Sequence, residues 1–170
     1  PVAHVEAGLR SFDRRMPEEV NRVLTDHASD LLFCPTETAV ANLAAEGITR
    51  GVHLTGDVMV DALQENLALA KERATVDLPA TGYFLATVHR ASNTDDPVAL
   101  RAIMAAFALL EAPVIFPVHP RTRKKFAEYG ISPAENVRIV EPLPYFDMLA
   151  ALAGARAVLT DSGGVQKEAY

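Results

Sequence analysis

Cysteine is almost missing from this chain. Cys34 is the only one in 170 residues, so no intrachain disulfide can form and a cystine-stapled secreted scaffold is excluded. Long apolar runs are missing too. None approaches the roughly 20 residues that a membrane helix needs. The chain opens on Pro1 with no charged-then-apolar leader. These absences predict a soluble chain of a reducing, cytoplasmic compartment. Basic charge is sparse: 16 Lys and Arg stand scattered against 22 Asp and Glu, for a net charge of −6. A nucleic-acid footprint requires a basic stripe, and the single short run, Arg121-Thr-Arg-Lys-Lys125, reads equally well as a solvated helix face. No nucleic-acid partner is expected. No His/Cys/Asp set has metal-ligand spacing. No Gly-Lys-Ser/Thr follows a glycine-rich loop, and no Gly-x-Ser-x-Gly marks a nucleophile elbow.

What is present is a globular composition, 49% hydrophobic and 22% charged, arranged as alternating strand and helix patterns. Val2–Val5, Leu31–Cys34, Val52–Leu54, Tyr83–Val88, Val114–Val118, Val137–Val140 and Ala157–Thr160 are short, nearly continuous apolar runs. Such runs are typical of strands buried on both faces of a parallel sheet. Between them, Leu100, Ile103, Met104, Phe107 and Leu110 make an apolar stripe at helical spacing, with Asp96 as its cap and Pro97 at its first position. Helices are also expected after Pro17, around Ala39–Leu43 with Gly47 as the stop, from Asp57 to about Arg73, and from Pro144 through Leu152. The expected fold class is α/β, with Rossmann-like doubly wound topology.

Pro and Gly break the pattern at residues 74–82. We therefore place one domain at 1–75 and a second at 76–170. Both ends read as cut. Residues 1–5 begin directly as a strand, and 164–170 begin a helix that stops within about two turns, shorter than an isolated helix tolerates. The chain is expected to be an internal fragment of two incomplete domains.

Four clusters carry candidate chemistry. In Thr160-Asp-Ser-Gly-Gly-Val-Gln-Lys-Glu168 a strand ends, two glycines follow and a helix begins, which aims backbone N–H groups at one point and suits an anion. Ser162 caps the helix or adds a hydroxyl, Gly163 and Gly164 leave room for a diphosphate, and Glu168 is placed to accept from ribose hydroxyls. An ordinary tight strand-to-helix turn accounts for the same residues about as well. In His4-Val-Glu-Ala-Gly-Leu-Arg-Ser11 and Pro17-Glu-Glu-Val-Asn-Arg22, five ionisable groups (Glu6, Arg10, Glu18, Glu19, Arg22) crowd one strand end. Each alone reads as a surface ion pair; together they point to a site where a carboxylate moves a proton. Thr87-Val-His-Arg90 and Pro117-Val-His-Pro-Arg121 repeat one design, a buried strand ending in histidine followed closely by arginine, which suits a shared anionic ligand. His27 and His53 read as structural, and Cys34 as core.

Taken together, the ordered set His4–Arg10, Pro17–Arg22, Pro35-Thr-Glu37, Gly56-Asp57, Thr87–Arg90, His119–Thr122, Pro142–Tyr145 and Thr160–Gly164 resembles the non-hydrolysing UDP-N-acetylglucosamine 2-epimerase family over essentially the whole chain. That resemblance implies two Rossmann-like domains of the glycosyltransferase-B type. It implies interconversion of UDP-GlcNAc and UDP-ManNAc through elimination of UDP to a 2-acetamidoglucal, with no metal or nicotinamide cofactor. By position it makes Glu6 and Glu18 catalytic carboxylates and His89 a diphosphate or leaving-group contact. It places Arg121 near the nucleotide, the Leu143 backbone and Met148 side chain at the uracil, and Ser162, Gly163, Gly164 and Glu168 at the diphosphate and ribose. Many relatives carry an aromatic residue where Met148 stands. It also implies a homodimer at full length, and a first glycine-rich turn, a third catalytic aspartate and a closing helix outside residues 1–170. The chain alone is accordingly expected to have little or no epimerase activity. Hydrolysing epimerases and epimerases of other N-acetylated UDP-sugars, such as diacetamido-uronates, share much of the pattern. A nucleotide-binding module without turnover is the alternative of another class.

Overall fold

The apolar runs become strands with boundaries close to those expected. The computed structural model describes residues 1–79 and 82–169. In it, β1 (Ala3–Val5), β2 (Leu31–Cys34) and β3 (Val52–Leu54) form a parallel sheet in that order, with Val5 beside Phe33 and Cys34 beside Leu54. A second parallel sheet has the order β6-β5-β4-β7, from β4 (Phe84–Thr87), β5 (Val114–Pro117), β6 (Val137–Val140) and β7 (Ala157–Thr160). Ala80 and Thr81, inside the expected break, and Tyr170, in the last expected helix, lie outside the described residues.

The helices start where the local chemistry directs. Helix α1 (Pro17–Ala28) has Pro17 in its first turn beside Glu18 and Glu19, which complement the positive helix end. Helix α2 (Glu37–Ala45) begins with the Thr36 hydroxyl accepting from the Ala39 N–H at 3.1 Å. It stops at Gly47, where Ile48 N–H donates to the Leu43 carbonyl at 2.9 Å. Asp57 opens α3 (Val58–Arg73) by accepting from Met59 N–H at 3.0 Å. A single turn, α4 (Ala91–Thr94), has no apolar stripe and was not expected; it leads into α5 (Pro97–Ala108), which Asp96 caps through Val98 N–H at 2.8 Å. The basic run falls on α6 (Pro120–Tyr129), and α7 (Tyr145–Gly154) and α8 (Gly163–Ala169) complete the described elements.

The chain divides into two compact units, Pro1–Asp61 and Ala62–Tyr170, inside α3 and upstream of the Pro/Gly break. The residues after α3 are fastened to the second unit. Thr75 and Val76 N–H groups donate to the buried Asp147 carboxylate at 2.6 and 3.1 Å, and the Arg73 guanidinium lies 5.7 Å from the Phe146 ring centre.

In the first unit Ala7, Leu32, Cys34, Ala39 and Leu43 form a small core between sheet and α2. In the second, the sheet is covered on both faces, as the continuous apolar strands require. Ala86, Val114 and Phe116 point to one face with Leu100, Met104, Phe107 and Phe126. Leu85 and Ile115, one residue out of step, point to the other face with Tyr83 and Ala151. Phe116 meets Phe107 edge-on at 5.7 Å. Each such fully buried large side chain contributes about 1.5–3 kcal/mol.

Candidate functional site

The order β6-β5-β4-β7 has a topological switch. From β4 the chain winds outward through β5 to β6, then returns to place β7 on the other side of β4. Ligands of open parallel sheets bind beyond the strand C-terminal ends at such a switch. Parallel strands put all four ends on one edge. Along it stand, in order, Leu143 and Met148 after β6, His119 and Arg121 after β5, His89 and Arg90 after β4, and Asp161 and Ser162 after β7. With strands about 4.8 Å apart, this row is about 15 Å long.

At the switch itself Thr87 and Thr160 are register partners with hydroxyls 2.6 Å apart. One residue later, Asp161 organises the end of β4. Its carboxylate accepts from the backbone N–H of His89 (3.1 Å to each oxygen), the N–H of Arg90 (3.0 Å) and Asn93 Nδ2 (2.9 Å). His89 Nδ1 lies 2.7 Å from Asp161 Oδ1, and Arg90 Nε donates to the Asp161 carbonyl at 2.7 Å. Burial alone pushes the Asp161 carboxyl up, but the Arg90 N–H, the Asn93 amide and the His89 N–H outweigh it and hold the acid below its ordinary value. The His89 side chain stays 60% exposed while Asp161 is only 12% exposed. Asp161 and Asn93 were not singled out from the sequence. Asp161 lies within the Thr160–Glu168 segment, but its partners are about seventy residues away across a strand pairing.

The Ser162 hydroxyl caps α8, accepting from Val165 N–H at 3.4 Å, while Ser162 N–H donates to the Thr160 hydroxyl at 2.9 Å. A Cβ built on Gly163 meets nothing within 4 Å, and its φ is not in the left-handed region. Neither backbone strain nor packing demands glycine there, at a position where glycine is a poorer helix former than alanine. Glu168 is partly buried on α8, and that burial pushes its carboxyl up. Arg121 reaches Asp95 at 2.5 Å and remains largely exposed. Leu143 and Met148 pack against the Tyr83 cluster, which leaves each partly buried. Among the described residues no group of three or more His, Cys, Asp or Glu is placed to hold a metal ion.

In the first unit the ionisable cluster sorts into two kinds. Arg10 is turned inward. Its guanidinium grips Glu46 through two bonds (2.6 and 2.8 Å) and Asp26 at 2.7 Å, with 1% of its side chain exposed. The Glu46 bonds, and then Asp26, push the Arg10 guanidinium further up despite its burial. Asp26, fully buried, also holds His4 Nδ1 at 2.5 Å and Gly8 N–H at 3.1 Å. Glu19 is buried as well. It accepts from Ser11 N–H, Ser11 Oγ and Phe12 N–H at 2.9–3.0 Å and pairs with Arg22 at 3.3 Å, which together overcome burial and hold its carboxyl low. These groups build the loop. Glu6 and Glu18 are different. Glu6 is half-buried directly beyond β1 with φ of 69°, a conformation that costs a non-glycine residue about 1 kcal/mol or more. Its neighbours over-determine that turn: Ala7 N–H donates to Phe33 at 3.0 Å and Gly8 N–H to Asp26. Glu18 stands exposed in the first turn of α1.

Comparison with known proteins places the geometry in a family. A model of the UDP-N-acetylglucosamine 2-epimerase family matches residues 1–170. A Methanococcus maripaludis "UDP-N-acetylglucosamine 2-epimerase homolog" is 50% identical over 99% of this chain and 50% of its own length. The Pseudomonas aeruginosa UDP-2,3-diacetamido-2,3-dideoxy-D-glucuronate 2-epimerase is 47% identical over all of this chain and 49% of its own. The crystal structure of Methanocaldococcus jannaschii UDP-GlcNAc 2-epimerase, in complex with UDP-GlcNAc and UDP, superposes with a TM-score of 0.87 at 43% identity, covering 98% of this chain and 50% of that one. The chain thus spans about half the length of the curated relatives it matches. With a match along its whole length, and parallel sheets of the expected α/β class, the chain belongs to the UDP-N-acetylglucosamine 2-epimerase family.

Proposed function

We propose that the protein carrying these residues interconverts UDP-GlcNAc and UDP-ManNAc without hydrolysis. The observation that supports this most is the row of strand ends at β6-β5-β4-β7, with a glycine at its β7 end that neither fold nor packing requires. In this reading the Leu143 backbone and Met148 hold the uracil, and Arg121, His89, Ser162, Gly163 and Gly164 surround the diphosphate. Glu168 accepts from the ribose hydroxyls. Glu6 and Glu18 move the proton at sugar C2. One carboxylate takes that proton while the C1–O bond breaks, its electron pair leaving on the diphosphate and C1=C2 forming in a 2-acetamidoglucal. The donors at the β4 and β7 ends stabilise the charge as it develops. Return of a proton to the opposite face of C2, with UDP rejoining C1, completes the inversion. Residues 1–75 belong to the first Rossmann-like domain and 76–170 to the UDP-binding one, in a cytoplasmic homodimer whose mass light scattering reads.

The test is incubation of the full-length protein with UDP-GlcNAc in heavy water, following sugar C2 by proton NMR. Deuterium at C2 with UDP-ManNAc appearing is expected. Free ManNAc with UDP would move the protein to a hydrolysing branch. Folded protein that binds UDP with no exchange would leave a binding module. The 47% identity to the diacetamido-glucuronate enzyme supports one second substrate; the ratio of kcat/KM for the two UDP-sugars decides between them.

A further inference from the structure

Asp161 accepts in the described structure from three donors, the N–H groups of His89 and Arg90 and Asn93 Nδ2, and its Oδ1 lies 2.7 Å from His89 Nδ1. A carboxylate is the only side chain that offers two acceptor oxygens and no donor. Its partners divide between the oxygens. Oδ2 faces the Arg90 N–H, the Asn93 amide and the His89 N–H, whereas Oδ1 faces the His89 N–H and the ring. Asp161 is ionised through the neutral range, and its Oδ1 lies 2.7 Å from the ring nitrogen, too close for two lone pairs to face each other, so that nitrogen carries the proton. Asp161 is also held in place. Its N–H donates to Thr87 at 3.2 Å and its carbonyl takes Arg90 Nε. Nε2 is then the ring nitrogen not held by Asp161, on a side chain that is 60% exposed.

We propose that Asp161 is a positioning residue. It fixes the proton of neutral His89 on Nδ1 and presents Nε2 to a ligand phosphate at the β4–β7 switch. The placement of that phosphate rests on the function proposed above; the fixed tautomer does not. The charged group against the ring is Asp161 on the β7 side, and Arg90 on the same loop as His89 is turned to the Asp161 carbonyl through Nε. Replacing Asp161 with Asn makes a sharp prediction. The Asn amide has one acceptor and one donor end. Three donors surround Oδ2, so the amide oxygen must stay there and the NH2 group turns to the ring. Nδ1 must then accept, and the neutral imidazole carries its proton on Nε2 instead, the kind of tautomer exchange that disables a histidine whose geometry is otherwise intact.

The experiment is long-range proton–nitrogen NMR of the full-length protein, ¹⁵N-labelled at histidine, above the titration of the ring, with the His89 signal assigned by its loss in His89→Gln. Wild type is expected to show the Nδ1–H tautomer and Asp161→Asn the Nε2–H tautomer. Asn93→Ala, which removes a donor to Oδ2 only, keeps the wild-type pattern. Turnover in Asp161→Asn is expected to fall on the order of 10–100-fold in kcat, the size seen when the partner that orients a functional histidine is lost, with KM nearly unchanged. Wild-type His89 with its proton on Nε2 overturns the proposal, with no need for the variant to fold. So does an Asp161→Asn protein that is folded and keeps Nδ1–H. The Nδ1–H tautomer with a His89 signal that UDP fails to move keeps the positioning role and overturns the phosphate contact.

Discussion

The two units solve one problem in opposite ways. Each sets a histidine and an arginine in or beyond a parallel strand, close to a carboxylate. In the first unit the polar groups close on themselves: Asp26 takes His4, Gly8 and Arg10, Arg10 takes Glu46, and the guanidinium is all but sealed from solvent. In the second unit Asp161 takes the backbone N–H groups of the β4 end, lies 2.7 Å from one ring nitrogen of His89, and leaves that side chain 60% exposed. A charged strand end becomes a scaffold when every donor is consumed, and a site when the carboxylate consumes only what is needed to aim a side chain. Burial and partner count separate the two; residue type does not.

The largest effect that tests this contrast is expected from Asp26→Ala, which leaves the buried Arg10 charge half-compensated. Denaturant unfolding should show a loss of about 3–5 kcal/mol, and a loss below 1 kcal/mol would break the scaffold reading. Gly8→Ala comes next. Gly8 has φ of +76° and a Cβ there meets the Ala39 carbonyl oxygen at 2.3 Å, so about 2–3 kcal/mol is expected from strain of this kind. Gly163→Ala inverts the pattern. Stability should stay within about 0.5 kcal/mol, since an exposed first-turn position gains little from propensity, while UDP affinity by calorimetry should weaken about tenfold or more, the 1.4 kcal/mol that tenfold represents. Equal affinity in that variant would remove the glycine from the diphosphate contact.

The smallest effects are pH-linked and opposite in sign. Glu19 is held below its ordinary 4.5 in the folded state, so its stabilisation is present above that value and is lost as pH falls through the lower folded one. Glu19→Gln should flatten the acid limb of the stability curve. Glu168 is raised above 4.5 by burial, so the folded state holds its proton longer and stability declines as pH rises from 4.5 through the raised value. Glu168→Gln should abolish that decline, and a deeper acid-side loss in Glu168→Gln would contradict the sign.

Local features were readable because they are local. Short, nearly continuous apolar runs set the strands, and Asp57 and Asp96 cap the helices that follow them. The parallel character followed from strands apolar on both faces. The order β6-β5-β4-β7 was not readable, because nothing in residues 157–160 states which side of β4 they join. The role of Asp161 depends on that order, and so it stayed hidden although its motif was noticed. Arg10 shows the reverse limit. In sequence it crowds a strand end with Glu6 and Glu18, but its partners Asp26 and Glu46 arrive from α1 and from the end of α2. Helix α4 was missed because four residues without an apolar stripe carry no periodic signal.

The contrast between the units is tested most directly by titrating the full-length, ¹⁵N-labelled protein with UDP and mapping the backbone amides that move. The account predicts shifts at residues 89–93 and 160–165, with residues 143–148 following, and none at Asp26 or Glu46. Shifts concentrated around Asp26 and Glu46, with the β4 and β7 ends silent, would contradict it.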